Sequence, residues 1–146
     1  MAYILLTVAV WAAFFWAVRP GRWRSYYPQI VFGALLGTLC DLAGVTAFQW
    51  HYFGPTTGGL SLWSDIGVAP AEAGLFAWSM TTFPRRRWLF WIFWTAGNAA
   101  GEWVFVRADW IVYGYWHPLK AFIFYVGFFA VIRLHMFFCD WLEARS

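Results

Sequence analysis

Apolar residues occupy this chain in long blocks, and polar residues gather in the short gaps between them. Five blocks, residues 1–18, 29–49, 66–83, 88–106 and 118–138, approach the roughly 20 mostly apolar residues that a helix needs to cross a bilayer. The gaps carry the residues that stop helices. Arg19-Pro20-Gly21 closes the first block, Tyr27-Pro28 opens the second and Phe83-Pro84 closes the third, since proline lacks a backbone donor and crowds the preceding turn. Residues 51–59 (HYFGPTTGG) read as a turn-forming connection. Residues 109–117 (DWIVYGYWH) are aromatic and broken by Gly114, which predicts a segment at a membrane–water interface, where Trp and Tyr rings settle. The pattern predicts an all-α fold: a single domain over residues 1–146, a polytopic integral membrane helix bundle of about five spans.

Charge supplies the orientation. Arg19, Arg22 and Arg24 follow the first block, Arg85, Arg86 and Arg87 separate the third from the fourth, and Arg133 and Arg145 belong to the end of the fifth. Only Arg107 and Lys120 fall on the other side. The cation-rich side faces the cytoplasm, so the expectation is N-out, C-in, in the cell membrane. The first block has no basic residues ahead of it, so it reads as a retained span rather than a cleaved signal.

Composition agrees with the pattern. Charged residues make up 12% of the chain, about half of what a soluble domain carries. Thirteen Trp and sixteen Phe exceed what a core of this size can hide. A soluble monomer, a disordered chain and a nucleic-acid-binding module are poor fits. Cys40 and Cys139 form no disulfide framework and no zinc spacing.

Small residues mark the faces that pack, because helices in lipid approach closely where side chains are small. Gly33, Gly37, Asp41 and Gly44 share one face of the second block, with Asp41 turned toward protein. Gly97 and Gly101 form a second small-residue pair, beside Asn98 and Glu102, which are one turn apart. Such faces serve helix packing within the chain or a homo-oligomer.

Ionisable residues inside spans are costly and invite a functional reading. Asp41, Glu72 and Glu102 all fall in the outer half of the predicted bilayer, at a rise of about 1.5 Å per residue. His51, Asp65 and His117 would cap the same side from the loops. Three readings stay open: a structural staple bonded to Trp, Tyr or His, a substrate or catalytic site, and an ion or proton path. Carboxyls in apolar surroundings favour the neutral acid, and a neutral acid in a dry cavity is a proton donor. No Walker loop, GxSxG elbow, HExxH helix or Asp-rich run occurs, so no cofactor and no metal is expected.

Two resemblances enter on these residues. Asp41 with Gly44, the Trp50-His51-Tyr52 turn, Pro70, Glu102 and the Tyr113-Gly114-Tyr115-Trp116 segment resemble a family of uncharacterised small multi-pass membrane proteins of Gram-positive spore formers. That likeness covers residues 27–134 and implies a compact helical membrane protein without naming an activity. A shorter set, Asp41, Trp50, Tyr52, Pro70-Ala71-Glu72 and Phe76, looks like the lycopene-cyclase domain of bacterial carotenoid cyclases, although Ala73 stands where that domain has a second Glu. The second resemblance implies acid-initiated cyclisation or isomerisation of an isoprenoid-like lipid. Asp41, Glu72 and Glu102 would be the acids and bases, and Trp50, Tyr52, Asn98, Trp103, Trp116 and His117 would bind the substrate. Cation–π contacts worth about 2 kcal/mol or more when desolvated would steady the carbocation, with Trp50 and Trp103 as its shield. The competing expectation is a non-catalytic protein: an assembly subunit, a small transporter or a lipid-binding protein.

Overall fold

The structure, a computed structural model, describes residues 2–19, 21–52, 56–57, 60–61, 63–114 and 117–145. Helices dominate it: α1 (Ala2–Ala17), α2 (Tyr27–Phe48), α3 (Ala69–Thr82), α4 (Arg87–Arg107) and α5 (Pro118–Glu143). Each falls on one of the five apolar blocks. Pro28, Pro70 and Pro118 sit in first turns, where a missing N–H costs nothing. A π-helical turn, Trp63–Val68, leads directly into α3. Its wider winding lies just ahead of Pro70, whose ring would crowd the carbonyl one turn back in a regular helix.

Helix α3 is the axle of the molecule and packs against the other four helices. Its Phe76 stacks on Phe129 of α5 with ring centroids 4.8 Å apart, and Met80, Ile132 and Met136 complete that cluster. On its other side, Leu75 meets Phe14 of α1 and Val18 just beyond it. The α2 glycines permit the closest approach. A Cβ on Gly33 would collide with Ala73, and one on Gly37 would lie 2.7 Å from the Ala69 Cβ. The α2 stripe is therefore spent inside the chain. The α4 pair behaves differently, because a Cβ on Gly97 or Gly101 meets nothing within 4 Å among the described residues.

On α2 and α4 the burial pattern is inverted relative to a water-soluble bundle. On α2 the buried residues are Gln29, Gly33, Gly37, Asp41 and Gly44, while Leu35 stays 56% exposed and Leu39 and Leu42 also face outward. On α4 they are Thr95 and Glu102, with Trp88, Ile92 and Phe93 outside. Two helical stretches, Trp23–Phe48 and Leu119–Glu143, are long and apolar enough to cross a membrane, and 22% of the apolar window of each is buried. The apolar stretch Ile4–Ala17 is shorter, and the 14 residues of α3 reach about 21 Å before the π-helical turn is added.

The two ends of the bundle differ. Tyr26 hydrogen-bonds Thr81 at 3.1 Å, bringing the arginines after α1 beside those after α3. Phe32 stacks on His135 at 4.0 Å, which brings the later half of α5 toward the same end. Arg87 Nε donates to the Met80 carbonyl at 3.0 Å and closes the C-terminus of α3. At the opposite end two segments expected as connections are extended instead. Strand β1 (Trp50–Tyr52) pairs antiparallel with β4 (Ile111–Tyr113), and β2 (Thr56–Thr57) pairs with β3 (Leu60–Ser61). Three-residue strands rich in aromatic and β-branched residues suit a pleated ribbon but are too short to show alternation.

Candidate functional site

At the ribbon end, α2, α3, α4 and α5 part around a cavity of about 410 Å³. Asp41 reaches it from α2, Glu72 from the first turn of α3, and Asn98 and Glu102 from α4. The three carboxyl residues picked from the sequence thus line one space, together with Asn98. Each arrives by a local rule: Asp41 continues the Gly33–Gly37 stripe, Glu72 sits on the buried axle, and Asn98 and Glu102 share a face at a spacing of four. Trp94, Phe105, Phe124, Tyr125 and Phe128 supply aromatic wall, Cys40 and Gly97 add small surfaces, and Ile111 closes the wall from β4.

Polar contacts hold several of these groups. The Ser61 backbone N–H points at Asp41 Oδ2 from 3.4 Å. Asn98 is shared, its amide donating to the Trp94 carbonyl at 3.1 Å and its side chain hydrogen-bonding Glu72. Two N–H donors on one amide allow both. The Trp94 ring is fixed in turn, since its Nε1 donates to Ser79 Oγ at 3.2 Å and that hydroxyl donates to the Phe76 carbonyl at 2.7 Å. Asp41 and Glu102 are both buried.

Several expected residues lie elsewhere. Trp103 is 49% exposed, does not line the cavity and is covered by the Arg107 guanidinium 5.0 Å from its ring. Trp103 points about 100° away from Glu102 around α4, and that turn carries its ring to the outer surface. His117 is exposed and works as a helix cap, its Nδ1 accepting from the Leu119 N–H at 3.2 Å. His51 is exposed on β1. The backbones of Trp50 and Tyr52 belong to β1; their side chains, and Trp116 as a whole, lie outside the described residues. Asp65, expected as a loop cap, is instead 2% exposed on the π-helical turn. Its place beside Gly37, whose Cβ would lie 3.8 Å from the Asp65 backbone, explains that burial.

Reasoning from sequence missed Phe105, Phe124 and Tyr125 as cavity wall, because in so aromatic a chain a ring facing a pocket and a ring facing outward look alike. Among the described residues no three His, Cys, Asp or Glu are grouped to hold a metal ion. Comparison with known proteins leaves the geometry to speak alone: no family model, no curated protein and no solved structure matches the chain.

Proposed function

We propose that the chain is a multi-pass protein of the cell membrane, five helices embedded with the arginine-rich end in the cytoplasm, and that its cavity acts on an isoprenoid-like lipid by protonation. The membrane reading rests on the inverted burial of α2 and α4, with Gly, Asp, Thr and Glu inward and Leu, Ile, Phe and Trp outward. In water that arrangement forfeits the hydrophobic effect, whereas in lipid it satisfies polar groups and costs nothing outside. The arginine distribution supports N-out, C-in. Helices α1 and α3, shorter than a bilayer core, fit such a bundle because α3 is surrounded by protein and α1 leans on it.

The observation that carries the enzymatic reading is the meeting of Asp41, Glu72 and Glu102 in one aromatic-walled cavity. A carboxylic acid gives its proton to an alkene carbon, a neighbouring π bond attacks the cation to close a C–C bond, and a carboxylate removes a proton from the adjacent carbon. Mass is conserved, and no cofactor is consumed. Trp94, Phe105, Phe124 and Tyr125 offer π faces to the passing cation, a task expected of Trp103. The cavity volume sits near the lower end of the roughly 300–1,000 Å³ typical of ligand pockets, room for the end group of a long polyene. This function agrees with the resemblance to the lycopene-cyclase domain, and the architecture with the resemblance to the small multi-pass family.

A second reading has its own support in the Asn98–Glu72 bond, which spends a carboxyl on joining two helices: a lipid-binding or assembly protein without catalysis. One experiment separates the two. Lipids from cells that make linear isoprenoids are compared with and without the protein and with the Asp41→Asn/Glu72→Gln/Glu102→Gln variant. The enzyme produces a new species of unchanged mass and shifted retention that the variant lacks. Identical lipids beside a folded variant leave the binding role.

A further inference from the structure

Asp65 belongs to none of the roles above, yet it is the most deeply buried acid among the described residues, at 2% exposed. Both of its carboxyl oxygens are shut away from solvent with no hydrogen-bond donor among the described residues. The polar group its side chain meets is another carboxyl, that of Asp41, within side-chain hydrogen-bond contact. The placement is built in: Asp65 lies against Gly37, one helical turn before Asp41 on the same stripe, and the π-helical turn ahead of Pro70 presents it there. Asp41 lines the cavity and Asp65 does not.

Among the described residues no Lys, Arg or His lines the cavity beside the pair. Of the ionisable groups there, helix α2 contributes Cys40, α3 contributes Glu72, and α4 contributes Glu102. Strand β3 gives the Ser61 N–H, and α1 carries no ionisable side chain between residues 4 and 18. Two carboxylates cannot face each other in a buried site without a proton or a cation between them. A single proton solves the problem, because it turns one acceptor into a donor and satisfies both residues.

We propose that Asp41 and Asp65 form a proton-sharing pair, one proton held between two carboxyls, with Asp41 facing the cavity and Asp65 as the positioning residue that loads and orients it. The pair rests on the protonation reading above and deepens it. When Asp41 gives its proton to an alkene, the two carboxylates left behind face the new cation and steady it. When the cyclised cation sheds a proton, the pair takes it back and returns to its starting state. Acid and base are then one device.

The test needs no substrate, so its failure is distinct from failure of the enzymatic reading. Purified protein carrying aspartate labelled with carbon-13 at the side-chain carboxyl is measured by infrared spectroscopy in light and heavy water at neutral pH. The expected result is a single broadened, deuterium-sensitive protonated-carboxyl band, one per chain, assigned to the pair by the two variants that follow. Asp65→Asn and, from the other side, Asp41→Asn each abolish the band, because the amide supplies the donor that the shared proton supplied. Two protonated aspartates per chain would mean independent acids and overturn the pair. So would no band with a sodium-dependent carboxylate signal, which would place a cation there, or a band unchanged in the Asp65→Asn protein.

Discussion

Helix α3 buries ten of its fourteen residues, and α5, its neighbour and nearly twice as long, leaves Leu134 72% exposed with Ile123 and Phe137 close behind. The inner helix is assembled from Ala, Gly, Ser and Pro with a few large anchors; the outer one carries bulky apolar residues over most of its length. In a soluble bundle the roles would be reversed, with the greasiest helix at the centre. The lipid surroundings proposed above would invert the choice. An outer helix must offer bulk apolar surface to its solvent, whereas the centre must let four partners approach and needs small side chains. The inner helix can also afford polarity, and Ser79 and Glu72 lie on α3, the latter on the cavity.

That contrast can be broken in measurable ways. The largest effect belongs to the axle: Phe76→Ala removes a fully buried ring stacked on Phe129 and is expected to destabilise the fold by about 3–5 kcal/mol, read as a drop in unfolding midpoint in detergent. Next comes a charge on the outer surface. Leu35→Arg, an exposed position midway along α2, should weaken insertion by about 2.5–3.5 kcal/mol on translocon scales. A glycosylation-mapping assay reads it, and unchanged insertion would mean that position 35 does not face lipid. The smallest effect is expected at Trp103→Ala, which touches neither core nor cavity: stability within about 0.5 kcal/mol of the parent in the same unfolding assay, and an unaltered lipid product. A strong loss of product would restore Trp103 to the site.

Much of the helix pattern was legible because punctuation is local. Proline, glycine and arginine mark helix ends by backbone and charge rules that need no partner, and the limits of α1, α2 and α4 fall within about two residues of the apolar blocks. Helix α5 runs on to Glu143, since a solvated tail with Asp140 and Glu143 stays helical without being apolar. The two glycine pairs show where locality ends. Gly33–Gly37 and Gly97–Gly101 look alike in the chain, yet the first pair meets Ala73 and Ala69 and the second meets open space. The difference lies in the opposing helix, whose small residues complete the first contact and have no counterpart for the second. Asp65 escaped for a related reason. It precedes an apolar block and so resembles a loop residue, until the π-helical turn brings it against the α2 stripe.

The β1–β4 ribbon carries a consequence for the order of assembly. Its strands come from opposite sides of α3 and α4 in the chain, so a growing polypeptide has made both helices before Ile111 can meet Tyr52. Closing a loop of that length costs entropy that only already packed helices can offset. Pairing is then a late event in biogenesis, and because Ile111 also forms part of the cavity wall, a chain truncated before β4 would hold its acids in an unfinished vessel.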